Sequence, residues 1–189
     1  TATVSSSVTP VTGTVQFRAG DTVLGSAAVT NGTATFTTSG LVAGTHAIRA
    51  SFAATATHGA SSDDLDQVVD LAASLTTLTS SLNPSAFGDP VTFTATVTAA
   101  GAPVTSGNVT FSVDGTDVGT VTVSVAGVAT FTTASIGGGT HTVAARYLGT
   151  PALGVSSANL SQVVGQRASS TTVTSSLNPA AFGATVSFT

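Results

Sequence analysis

Residues 91–97 read Val-Thr-Phe-Thr-Ala-Thr-Val, apolar and hydroxyl side chains in strict alternation. Successive side chains of a β-strand point to opposite faces, so this stretch builds one face for a core and one for water. The same pattern recurs outward from it, between turn signals. Residues 74–82 read as an opening strand closed by the Asn83-Pro84 turn. Val109-Thr-Phe-Ser-Val113 runs into Asp114-Gly115, a dipeptide favoured in tight hairpins because both residues tolerate positive φ. A short strand is predicted around Val118 and a longer one over 120–125, turning at Ala126-Gly127. Strands over 128–133, 140–147 and 155–164 follow, and no segment carries a capped helical pattern. The expected core is Phe93, Val109, Phe111, Phe131, Val143, Leu160 and Val163.

The chain repeats itself. Thr79-Ser-Ser-Leu-Asn-Pro-Ser-Ala-Phe-Gly88 returns 95 positions later as Thr174-Ser-Ser-Leu-Asn-Pro-Ala-Ala-Phe-Gly183. Phe36 and Phe131, Gly44 and Gly139, His46 and His141, Phe52 and Tyr147, and Gln67 and Gln162 keep that spacing. Phe17 and Phe111 lie 94 apart, which places a one-residue difference between Gly25 and Phe36. A unit of this size fits one antiparallel sandwich. A complete unit is expected over 71–165. Residues 1–70 match the unit from Thr94 onward and lack its opening strands, which residues 166–189 supply again. At about 12 residues per strand, each bead would be ~40 Å long.

Leu82-Asn-Pro-Ser-Ala-Phe-Gly88, Val91–Val97, Gly107-Asn-Val-Thr-Phe111 and Gly139-Thr-His-Thr-Val-Ala-Ala-Arg-Tyr147 resemble the bacterial immunoglobulin-like repeat domain. The resemblance spans nearly the whole chain. It implies an all-β fold of tandem Ig-like antiparallel sandwiches in a head-to-tail array, on a secreted or cell-surface protein. It carries over no catalytic residues.

Composition excludes several functions. The 189 residues include 37 Thr and 24 Ser but no Cys, Met, Trp, Lys or Glu. Without Cys there is no disulfide, thiolate nucleophile or iron–sulfur cluster, and without Lys no Schiff base or P-loop lysine. The basic residues are Arg18, Arg49, Arg146 and Arg167, and the net charge is -4, so no basic footprint for nucleic acid exists. Mean hydropathy is +0.44, yet no apolar run approaches the ~20 residues of a membrane-spanning helix. The chain opens at Thr1 with no signal peptide, so any targeting segment is expected outside these residues.

Few residues invite a chemical reading. His46 and His141 each sit in Gly-Thr-His at the start of the penultimate strand, where antibody-type domains place a corner-tying tyrosine. A ring N–H can make the same tie. His58 reads as a loop residue. Asp63, Asp64, Asp66 and Asp70 are the only dense charge, but the next repeat replaces them with Ala158, Asn159, Ser161 and Gly165. The cluster therefore reads as charge protecting an edge strand rather than as a calcium site. Asp114 and Asp117 read as turn formers. Asn31, Asn108 and Asn159 head glycosylation-type triplets that arise easily in a Ser/Thr-rich chain and are discounted. Gly137-Gly-Gly139 has no following helix or Lys and reads as a loop. No catalytic, cofactor or metal residue is assigned, and no enzyme is expected.

The leading expectation is a structural repeat segment of an extracellular bacterial fibre, filament or stalk. Its partners are neighbouring copies of itself, joined within one long chain or by strand donation between subunits. Two alternatives stay open. One is an adhesin module recognising glycan or host protein through sandwich-end loops, for which Phe87 and Phe182 are the exposed aromatic candidates. The other is an accessory segment of a secreted enzyme.

Overall fold

The computed structural model describes residues 1–7 and 10–189, and every regular element among them is a strand. The first stretch holds β1 (Ala2–Thr3), β2 (Thr14–Ala19), β3 (Thr22–Ala28), β4 (Thr33–Ala34), β5 (Gly44–Phe52) and β6 (Ser61–Val69). The second holds β7 (Leu75–Ser80), β8 (Ser85–Ala86), β9 (Val91–Ala99), β10 (Ala102–Pro103) and β11 (Asn108–Val113). It continues through β12 (Thr116–Thr122), β13 (Val128–Thr133), β14 (Gly139–Tyr147) and β15 (Ser156–Gly165).

In the second stretch the alternation of β9 does what the sequence requires. Val91, Phe93, Ala95 and Val97 are buried while the threonines between them lie outward. β9 is flanked by β7 on one side and by β13 and β10 on the other, all antiparallel. The facing sheet runs β12-β11-β14-β15-β8. Its inward side chains Val109, Phe111, Val143 and Tyr147 close the core against Phe93. Two packed antiparallel layers of this kind form an Ig-like sandwich. The opening segment serves both layers: β7 pairs with β9, and β8 crosses over to pair in parallel with β15.

The first stretch repeats half of this arrangement. Its sheet β3-β2-β5-β6 corresponds to β12-β11-β14-β15, and Ala2 pairs with Ala34 as Ala95 pairs with Ala129. Its own cluster gathers Val11, Val15, Phe17, Val29, Ala34 and Phe52. Among the described residues, no strand of this stretch stands where β7, β8 and the start of β9 stand in the other. A groove of about 710 Å³ remains on the inner face, lined by Phe17, Phe36, Ile48 and Leu65 among others. Leu65 is 57% exposed there.

Four sequence expectations need correction. The segments around Val118 and over 120–125 form one strand, β12, whose register shifts opposite Phe111 and Ser112. A bulge absorbs one extra residue without ending the strand. The turn before β13 is not the two-residue Ala126-Gly127. It spans Val125–Gly127, with Ser124 N–H bonded to Val128 O and Gly127 at φ 77. The first repeat uses the two-residue Asn31-Gly32 with φ 51 and 76, and in both repeats the strands flanking the turn belong to different sheets. The longest strand has 10 residues, so a bead spans nearer ~33 Å than ~40 Å.

The fourth correction concerns parity. Ser156, Ala158, Leu160, Gln162 and Val164 face inward along β15, so Val163 at 42% exposed is outside and Val164 at 4% is core. Leu160 and Val163 cannot share a strand face. The polar residue between them, Gln162, is the one that is buried. Tyr147 is the chain's only Tyr and is buried in this core, so its near-ultraviolet signal reports on this sandwich alone. In denaturant titrations read at Tyr147, Val164→Ala should cost roughly 2 kcal/mol and Val163→Ala under about 0.5. Equal losses would contradict the parity.

Candidate functional site

The densest side-chain chemistry lies where the opening segment meets the closing strand of the second sandwich. Asn83, in the turn between β7 and β8, donates from Nδ2 to Ser161 O at 2.7 Å and accepts at Oδ1 from Val163 N–H at 2.9 Å. Its amide thus substitutes for one backbone step of a ladder, because it offers a donor and an acceptor side by side. One residue on, the backbone takes over as Val164 and Gly165 pair with Ser85 and Ala86. Phe87 N–H donates to Gly165 O at 2.8 Å, and Arg167 Nε donates to Phe87 O at 2.6 Å. At the far end Ala72 bridges in parallel to Leu153, and Ser74 and Thr76 both bond the Ser156 hydroxyl at 2.7 Å.

Gln162 anchors the middle of this seam. It is fully buried, accepts from Ser80 Oγ at 2.7 Å and donates to Leu82 O at 2.8 Å. Its counterpart Gln67 is exposed on the groove of the first sandwich, with Nε2 donating to the adjacent Val68 O at 2.7 Å. The shared spacing of the two glutamines was visible in the sequence. Their burial was not, because it depends on strands that pack over only one of them.

The histidines tie corners. His46 Nε2 donates to Val42 O at 2.7 Å and His141 Nε2 to Gly137 O at 3.1 Å, each carbonyl four residues earlier. His141 has a second partner, Asp114 Oδ2 at 2.7 Å from Nδ1, while Thr142 N–H donates to Asp114 Oδ1 at 2.8 Å. The His141 hydrogen bond, then the Thr142 amide, hold the Asp114 carboxyl below the usual carboxylate range. Asp114 also occupies its expected turn, at φ 50 ahead of Gly115 at φ 80. In the first repeat Gly20-Asp21 takes this place.

The remaining candidates do not converge. His58 sits between β5 and β6 with Nδ1 2.8 Å from Thr57 Oγ1. Asp63, Asp64 and Asp66 lie along β6, the edge of its sheet, with Asp70 just beyond, and Asp64 pairs with Arg49 at 3.2 Å. Such exposed pairs contribute little. Among the described residues, no group of three or more His, Cys, Asp or Glu is placed to hold a metal. Asp117 stays on β12, Asn31 in its turn, and Asn108 and Asn159 within strands. Phe87 is 48% exposed on the seam, and Phe182 is fully exposed.

A family model described as bacterial Ig-like domain (group 3) matches residues 1–70 and 78–165. Among solved structures, fibronectin(III)-like modules of CbhA from Clostridium thermocellum are similar at 20% identity and a TM-score of 0.43, covering 87% of this chain and 83% of that one. The Ig1–Ig3 ectodomain of mouse nectin-like molecule 4 is similar at 14% identity and a TM-score of 0.31, over 84% and 56%. No curated protein matches.

Two outcomes are expected. Gln162→Ala leaves Ser80 Oγ and Leu82 O without their buried partner and should cost about 2–4 kcal/mol at the Tyr147 probe, and a loss under about 0.5 kcal/mol would contradict the anchoring role. Asp114 stabilises through a lowered folded pKa, so its contribution is complete above the ordinary carboxylate range and is lost as pH falls through the lowered value. Asn also accepts positive φ, so Asp114→Asn should keep the turn. The melting-temperature gap between wild type and Asp114→Asn should be open at pH 6 and narrow as pH falls below the ordinary carboxylate range. A gap independent of pH would remove the carboxylate from the account.

Proposed function

Because the chain belongs to the bacterial Ig-like domain family, we propose that it is a load-bearing spacer segment of an extracellular or cell-surface fibre or stalk. The observation behind this reading is the parallel seam of the second sandwich. Ser85–Ala86 runs alongside Val164–Gly165 in the same direction, and Ala72 alongside Leu153. The opening segment enters at one end of the seam and the closing strand leaves at the other. Tension along the chain then slides the two past each other and loads the Asn83, Gln162 and backbone bonds together. An antiparallel terminal pair would peel one bond at a time.

The surface chemistry fits a spacer. Outward threonines such as Thr92 and Thr132, whose hydroxyls lie 2.8 Å apart across strands, hydrate the faces without charge. Phe93, Phe111 and Tyr147 are spent inside the core, which leaves the sandwich ends poor in the aromatic anchors that binding loops use. The repeat adds length without new sequence.

Single-molecule pulling between Thr1 and Thr189 tests the role. The second sandwich should open in one high-force event, and Asn83→Ala should lower that force while speeding spontaneous unfolding about 5- to 30-fold, from ~1–2 kcal/mol of lost seam bonding. Opening at the low force of an unzipping hairpin, unchanged by Asn83→Ala, would defeat the load-bearing role. Protease digestion of intact cells should release the segment if it is displayed outside.

A further inference from the structure

His141 faces two acceptors. Its Nδ1 lies 2.7 Å from Asp114 Oδ2 and its Nε2 lies 3.1 Å from Gly137 O. A carbonyl oxygen cannot donate, and a carboxyl held below the usual carboxylate range is ionised and cannot donate either. A neutral imidazole has one N–H and can serve one of these acceptors, whereas the imidazolium has two and serves both. Histidine rings ordinarily gain and lose that second proton between pH 5 and 8. The His141 side chain keeps 19% of its surface in water, so protons can reach it.

The charges around the ring are few. Asp114 faces it from the β11–β12 turn, and Asp117, further along β12, is exposed. β11 carries no charged residue, the β13–β14 corner presents Gly137–Gly139, and the β15 residue paired with His141 is Gln162. The first repeat is built differently at this point. Gly20 N–H donates to Ala47 O at 3.0 Å as Asp114 N–H donates to Thr142 O at 2.9 Å, so Gly20 holds the place of Asp114 and brings no carboxylate. His46 Nε2 reaches Val42 O at 2.7 Å, a bond that the single N–H of a neutral ring can make.

We infer that the β13–β14 corner of the second sandwich is a proton-operated tether, closed by the doubly protonated His141 ring and opened when that ring becomes neutral. The neutral ring keeps its N–H on Nδ1, because a bond to a carboxylate is stronger than one to a carbonyl. The Nε2 lone pair then faces Gly137 O, and the two repel. Three successive glycines give the released corner no side chain to hold it, and a Cβ on Gly137 would meet nothing within 4 Å. The motion is bounded by Ile136, 8% exposed in the core, and by Gly139, which pairs with Val164. The tether is therefore complete in mild acid and lost as pH rises through the histidine range. It stands apart from the spacer role, since protons close the corner whether or not the chain bears load.

Carbon relaxation at the Gly137–Gly139 methylenes of the 189-residue chain reads the tether without interference from amide exchange. Backbone order parameters there should be ~0.85 at pH 5 and below about 0.6 at pH 8.5. Gly44, two residues before His46, should not change between the two. Asp114→Asn separates the tether from a general effect of pH. Its amide can accept from Thr142 N–H and donate to Nδ1, which frees the one N–H of a neutral ring for Gly137 O. That variant should keep the corner ordered at both pH values, and the Tyr147 signal shows at each pH that the sandwich is folded. A wild-type corner equally ordered at pH 5 and 8.5 would overturn the inference. So would a pH response that Asp114→Asn retains, or one that Gly44 shares.

Discussion

The second sandwich depends on the contact between its opening and closing strands. Without that contact the core is a sheet with one open side. Gln162 shows the constraint most clearly. A buried amide is tolerated only if both its ends are bonded, and the partners come from Ser80 and Leu82, eighty residues away in the chain. Three elements are therefore fixed by one side chain: the end of β7, the turn after it and the middle of β15. In the first sandwich the same residue type at the same place, Gln67, has no strand above it among the described residues and stays at the surface. The comparison isolates what the opening segment contributes, because the sheets beneath are otherwise alike.

The aromatic residues impose a second constraint that both repeats obey. Tyr147 packs against the β10–β11 connection, and its hydroxyl donates to Ser106 O at 3.0 Å. Gly107, at φ 94, is bound to that position: a Cβ there would lie 2.6 Å from the ring. Gly13 stands against Phe52 at the same 2.6 Å, so the pairing of bare backbone with aromatic face survives even where Phe replaces Tyr and the hydroxyl is lost. Close packing of this kind leaves no room for adjustment. It keeps Phe52, Phe93, Phe111 and Tyr147 at the centres of the two sandwiches.

Nothing in the described residues assembles a nucleophile, base and orienting group. His141 spends both nitrogens on holding the β13–β14 corner and the Asp114 turn together.

The sequence by itself determined the strands, the repeat and most of the core, because a period of two along β9, β11 and β14 needs only local steric rules to be legible, while the Ig-like sandwich followed from the resemblance of its motifs to a known family. It determined the turn at Asp114-Gly115 because both residues tolerate positive φ. Tertiary structure alone decided what lay between distant strands. It put Val164 inside instead of Val163, since a buried Gln162 is readable only once Ser80 and Leu82 are seen beside it. It merged two expected strands into β12 through a bulge that pairing with β11 accommodates. It sent the strands on either side of Asn31-Gly32 into different sheets, although the turn itself formed. And it made the parallel pairing of β8 with β15, because a partner eighty residues away leaves no periodic trace in either segment.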